Sequence, residues 1–168
     1  MRDLTKYRLE RSQEFLESSR IMLQLTLFKD SINRSYYAIF TAVRALLAEE
    51  EIDFKKHSAV ISYFRKNYIK TEIFDVSLSK YIGDAFKFRN DCDYEDFVIV
   101  SREEAETQYN NAVKFYEAIK NYLSRAEVRE SEKGNVEPAS EEQNQISERI
   151  TIKPLKRPIV KNTKEISH

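Results

Sequence analysis

Proline and glycine are nearly absent from most of this chain. No proline precedes Pro138, and Gly83 and Gly134 are the only 2 glycines among 168 residues. Proline breaks helices and glycine weakens them, so a long stretch without either favours long helices joined by short connections. The length is sufficient for one domain with its own core and too short for two ordinary domains.

Five segments carry apolar residues at the three- and four-residue spacing of an amphipathic helix. These predicted helices cover residues 3–28, 31–50, 58–68, a segment from 71 or 75 to 89, and 101–125. The second, SINRSYYAIFTAVRALLAEE, has a broad apolar face beside an alanine stripe, which indicates a helix covered on more than one side. Ser101 and Glu104 have the spacing of a capping box at the start of the last helix. The sequence therefore predicts an all-α fold, an up-and-down antiparallel bundle of four to five helices.

The composition changes after residue 125. Residues 126–148 are rich in glutamate and poor in apolar side chains, so burial there cannot offset the entropy of ordering. Residues 149–164 are basic, and we expect Lys153, Lys156 and Arg157 to dock on a partner; the alternative is a disordered tail without a task. The predicted organisation is a helical domain at 1–125, followed by a flexible linker and basic tail at 126–168.

The charge balance excludes no partner but favours none. Lysine plus arginine and aspartate plus glutamate number 28 each, so no global charge attracts the chain to nucleic acid or membranes, although a local basic patch is compatible with neutrality. One cysteine and 2 histidines argue against a disulfide and against a cysteine-rich zinc site. We predict no metal and no cofactor. Without a leader-like or membrane-spanning segment, a cytoplasmic location is expected.

Three motifs carry a resemblance to a known family. FKDSINRSYYAIFTAVRALL resembles the second-helix signature of the HEPN domain family, and KKHSAVISYFRKNYI and RNDCDY are similar to two further motifs of that family, in the same order. The resemblance covers about residues 5–125. It implies a helical bundle that is usually dimeric. Many members are metal-independent RNases, often toxins paired with a minimal nucleotidyltransferase, whereas others bind RNA, nucleotides or partner proteins without catalysis.

The polar run KFRNDCDY, residues 87–94, spans the predicted end of the fourth helix and the start of a polar loop, and we expect it to mark the functional site. In RNases of this family an arginine and a polar residue precede a histidine, which can transfer a proton near neutral pH while the arginine holds the phosphate. Arg89 and Asn90 match the first two positions, but Tyr94 stands where the histidine would be, and no histidine is near in the sequence. Asp93 or Tyr94 could take the acid–base role. Alternatively, Arg89 is the centre of a structural ion pair.

Asn33, Tyr36 and Tyr37 on the second helix are candidate binding or interface residues, with one tyrosine entering the core. His57 is predicted to be an exposed or helix-end histidine rather than a catalytic one. The missing motif histidine favours a dimeric binding or partner module, in a toxin–antitoxin or nucleotidyltransferase-linked system. The alternative is a metal-independent RNase that uses Arg89 at the dimer cleft.

Overall fold

The computed structural model describes the backbone of residues 1–94 and 99–134 and the side chains of 1–91 and 99–129. Its helices are α1 (Asp3–Gln24), α2 (Phe28–Glu49), α3 (His57–Phe64), α4 (Ser77–Tyr94) and α5 (Arg102–Gly134). Within the described ranges there is no β-strand. The prediction of an all-α helical bundle is confirmed.

Helix α2 is the central element of the bundle. It packs against α1, α3, α4 and α5, most extensively against α1. Its small residues Ala38, Ala42 and Ala45 are completely buried, as are larger side chains such as Ile39 and Val43. The broad apolar face that the sequence shows on this segment is therefore shared among several neighbouring helices.

Buried serines join α1 to α2. The Ser12 hydroxyl donates to the Ala38 carbonyl at 2.7 Å, and the Ser19 hydroxyl lies 2.9 Å from the Ser31 carbonyl and 2.8 Å from the Ser35 hydroxyl. Small side chains let the two backbones approach closely, and these hydrogen bonds remove the cost of burying their hydroxyl groups.

Helix α3 begins at His57 with no side-chain cap and continues as a π-helical turn, Arg65–Ile69. This turn carries Tyr68, which is 1% exposed and donates to Glu50 Oε1 at 2.6 Å. The hydrogen bond ties the segment after α3 to the end of α2.

The structure corrects the predicted end of α4. Residues 90–94, predicted as the start of a polar loop, are the last turns of α4, which ends at Tyr94. Asparagine and aspartate are weak helix formers, but the run contains neither glycine nor proline, and tertiary context overrides a weak preference. Arg89 therefore lies inside a helix and not beside a loop.

Helix α5 starts with the predicted capping box: Ser101 N–H donates to Glu104 Oε2 at 2.8 Å, and Glu104 N–H donates to Ser101 Oγ at 3.2 Å. The helix runs beyond its predicted end at Arg125 to Gly134. Most residues that follow Arg125 in α5 are charged and are good helix formers. Few of the residues in this stretch are apolar. The rest of the predicted linker and the tail, with Lys153, Lys156 and Arg157, lie outside the described residues.

Candidate functional site

A tyrosine–histidine pair lies where α2, α3 and α4 meet. Tyr36 of α2 is 0% exposed, and its hydroxyl oxygen is 2.7 Å from His57 Nδ1 at the start of α3. The imidazole of His57 stacks on the Phe40 ring, with centroids 4.0 Å apart, and the Tyr36 ring lies 5.9 Å from that of Phe86 on α4. Aromatic contacts and one hydrogen bond therefore hold the imidazole in a defined orientation.

Arg89 of α4 acts electrostatically on both members of this pair. Burial raises the pKa of Tyr36, and the positive charge of Arg89 opposes that rise. Burial also lowers the pKa of His57, and the charges of Arg89 and Arg44 lower that pKa further. Arg89 lies one helical turn beyond Phe86, so it projects from the same side of α4. The charge of Arg89 thus acts on a histidine that is distant from it in the sequence.

A cavity of about 360 Å³ adjoins His57, and its lining includes both cationic and aromatic side chains. The lining residues are Phe40, Arg44, Asp53, Phe54, Lys55 and His57.

Asp53 is the one acidic side chain among these lining residues, and it binds two arginines. Arg44 Nη2 donates to its two carboxylate oxygens at 2.9 and 3.1 Å, and Arg8 Nη2 donates to Oδ2 at 3.1 Å. Burial would raise the pKa of Asp53, but hydrogen bonds and charges from Arg44 and Arg8 outweigh it and keep that pKa below its usual value. Arg44 Nε is buried and has no hydrogen-bond partner among the described groups, so one donor of this cation is unused.

The HEPN domain family matches residues 5–122 of this chain, well over half of its length. The chain belongs to the HEPN family. It is 34% identical over 134 residues to the protein named "Putative toxin MJ0142" of Methanocaldococcus jannaschii, an alignment that covers 80% of this chain and 90% of that protein. It is 30% identical over 115 residues to "Putative toxin MJ0605" of the same organism, covering 68% and 85% of the two chains. A "UPF0332 protein" of Thermotoga maritima is 29% identical over 120 residues, covering 71% and 91%.

The predicted site residues of this HEPN domain surround Tyr36 in part. Tyr36 is hydrogen-bonded to His57, the charge of Arg89 acts on both residues, and Arg89 Nη1 donates to Asn90 Oδ1 at 3.1 Å. Asn33 and Tyr37 are half-buried on α2, and the Tyr37 ring lies 5.3 Å from that of Tyr36 and 5.6 Å from that of Phe15. For Asp93 and Tyr94 the structure describes the backbone, as part of α4, and not the side chains.

Sequence reasoning did not select three residues of this candidate site: Arg44, Lys55 and His57. The cluster Lys55-Lys56-His57 belongs to the second family-like motif, and this was the available signal for two of them. Arg44 lies in the first family-like motif, among apolar residues of α2, but it is not one of the residues on which the resemblance depends.

In the described ranges, no group of three or more His, Cys, Asp and Glu side chains is arranged to hold a metal ion. None of their helices combines the length and the apolar character that crossing a membrane requires.

Proposed function

We propose that this HEPN protein is a toxin-like, dimeric binding module that takes up RNA at the cavity beside His57 and works with a partner protein. The observation that carries the proposal is a local concentration of positive charge in a chain whose formal net charge is zero. Arg44 and Lys55 line the cavity, and the charge of Arg89 reaches its histidine. The names of two relatives, "Putative toxin MJ0142" and "Putative toxin MJ0605", support the toxin-like part.

The cavity has the groups that a single-stranded nucleic acid needs. Lysine and arginine bind phosphates, and aromatic side chains offer surfaces on which bases stack. Phe40 and Phe54 line the same cavity as the cations. A volume of about 360 Å³ lies in the range of small-ligand pockets, which suits one nucleotide unit of a longer strand.

The test is RNA affinity as a function of salt, measured by fluorescence anisotropy with a mixed-sequence single-stranded oligoribonucleotide. The variant is Lys55→Ala, because Lys55 is exposed and its loss should not disturb the core. The control is Lys114→Ala on the exposed face of α5, which removes the same charge. We expect Lys55→Ala to weaken binding several-fold and to reduce the salt slope by about one. Equal effects of both variants would show that RNA binding, if present, does not use this cavity.

The dimer and the partner protein follow from the family resemblance. We propose a homodimer and a partner of the nucleotidyltransferase class, in a toxin–antitoxin pair that acts in the cytoplasm, where its RNA is. Light scattering of the purified chain tests the dimer, and a monomer at high concentration would contradict it.

Co-purification with a small nucleotidyltransferase encoded in the adjacent reading frame tests the partner. Failure to co-purify would contradict this pairing.

A metal-independent RNase is the second candidate, because the charge of Arg89 reaches a histidine, His57. If Arg89 holds a phosphate during cleavage, Arg89→Ala should abolish RNA cleavage or toxicity and leave helicity and melting temperature nearly unchanged. A large fall in melting temperature would instead favour a structural ion-pair role for Arg89.

A further inference from the structure

The two ring nitrogens of His57 have different surroundings. Nδ1 is 2.7 Å from the hydroxyl oxygen of Tyr36, whereas Nε2 has no hydrogen bond to a group in the described part of the chain. Tyr36 is completely buried, and burial raises its pKa, so its phenol keeps its proton at neutral pH. The Tyr36 hydroxyl has no other hydrogen-bond partner in the described part of the chain, so a phenol that accepted from Nδ1 would leave its own buried proton unpaired. This favours donation from Tyr36 to Nδ1, and a neutral imidazole that accepts at Nδ1 carries its proton on Nε2.

The groups around His57 keep its ring neutral. Burial and two guanidinium charges, Arg89 from α4 and Arg44 from α2, all lower its pKa. Lys55 and Lys56 precede it in the loop and add positive charge. The acidic group at the cavity, Asp53, is already bound to two arginines. The ring of His57, a lining residue of the cavity, therefore carries a single N–H and no positive charge of its own.

We infer that His57 is a fixed hydrogen-bond donor, through Nε2–H, for a phosphate oxygen of bound RNA, and that Tyr36 is the positioning residue that selects this form of the ring. The inference rests on the proposed RNA-binding function and adds the group that recognises the phosphate. Arg44 supplies charge to the same cavity. The first turn of α3, which starts at His57 without a side-chain cap, adds the positive end of a helix dipole.

This arrangement separates binding from catalysis. A general base needs an unshared electron pair to take the 2′-OH proton. In His57 the pair on Nδ1 is used by Tyr36, and Nε2 already carries a proton. His57 held in this form binds a phosphate and does not deprotonate a ribose, so the site retains RNA without cleaving it through this histidine.

The first experiment measures the protonation of the ring directly, with nitrogen-15 NMR on the full chain. We expect wild-type His57 to show a protonated Nε2 and an unprotonated Nδ1 at neutral pH, and Tyr36→Phe to show a mixture of both neutral forms. A proton on Nδ1 in the wild type would overturn the inference, and this readout does not depend on whether any variant folds.

The second experiment compares RNA affinity between two replacements of His57. Glutamine keeps an N–H donor near the position of Nε2, whereas phenylalanine keeps the stacking on Phe40 and has no donor. We expect His57→Gln to bind within about threefold of wild type and His57→Phe to lose about tenfold, the effect of one hydrogen bond to a charged group. Melting temperatures of both variants show that each is folded.

The outcomes distinguish this inference from the proposed function. Wild-type affinity in His57→Phe, together with weakened binding in Lys55→Ala, overturns the donor role and leaves RNA binding intact. RNA cleavage by the wild type that His57→Gln abolishes makes His57 a catalytic base and overturns the inference in favour of the RNase candidate. If the wild type binds no RNA, the proposed function fails and the donor role fails with it.

Discussion

Replacing Asp53 by asparagine should lower the free energy of unfolding and raise the affinity for RNA. Asp53 holds two arginines through its carboxylate, one of them, Arg8, only 9% exposed. Asparagine has the same shape and can still accept the backbone N–H of Phe54, which lies 3.0 Å from Oδ1. The change therefore removes charge and leaves the loop geometry in place.

The expected loss of stability comes mainly from Arg8. The exposed pair between Arg44 and Asp53 contributes up to about 1 kcal/mol. Arg8 is nearly buried, and a hydrogen bond to a charged group at such a position contributes about 1.5–3 kcal/mol. Arg8 Nη1 keeps its 2.9 Å hydrogen bond to the Arg44 carbonyl in the variant, which limits the loss. The Asp53 side chain is 53% exposed, which weakens both pairs by solvent screening. The free energy of unfolding should fall by about 1.5–3 kcal/mol.

RNA affinity should rise because Arg44 is no longer neutralised. One unit of charge a few ångströms from a phosphate contributes on the order of 1 kcal/mol in a water-like dielectric, which corresponds to about a twofold to fivefold gain in affinity. Urea unfolding measures the first effect, and anisotropy with the same oligoribonucleotide measures the second. Glu117→Gln, on the exposed face of α5, is the matched control for removal of one negative charge.

Either of two results would refute this reasoning. Unchanged stability would show that Asp53 does not compensate the buried charge of Arg8. Affinity that stays constant, or that rises equally in Glu117→Gln, would show that Arg44 does not contact RNA and that only the total charge of the protein matters.

Three further predictions concern other parts of the structure. Arg89→Ala should raise the pKa of His57 toward the usual histidine value, because a positive neighbour disfavours protonation; NMR titration measures it, and an unchanged midpoint would place Arg89 away from the ring. Tyr68→Phe should cost about 1–2 kcal/mol in urea unfolding, because it removes the 2.6 Å hydrogen bond to Glu50, whereas Tyr63→Phe, at 3.5 Å from the same carboxylate, should cost little. A chain that stops after the last residue of α5 should unfold in one transition with an unchanged midpoint, and a lower midpoint would show that the tail stabilises the bundle.

Interactions between residues that are close in the sequence determine which segments are helical. The sequence was therefore enough to predict these segments. The spacing of apolar residues, the absence of proline before Pro138 and the capping box at Ser101 act within a few residues, so each could be read without knowledge of the fold. The resemblance of three motifs to the HEPN family predicted the helical bundle and the region of the candidate site, including Arg89 and Tyr36. Helix ends were predicted less well. Residues 90–94 have a weak helix preference and are nevertheless helical, and the good helix formers after Arg125 continue α5 although few residues there are apolar.

The composition of the site was decided by the tertiary structure. The family motif has a histidine shortly after its arginine, but no histidine follows Arg89 closely in this sequence. The histidine on which the charge of Arg89 acts comes from another helix. Packing of α3 and α4 on α2 brings His57, Tyr36 and Phe86 together. Its protonation depends in turn on burial and on two arginines from different helices. These effects act through space over a few ångströms, so only the folded chain determines which residues they join.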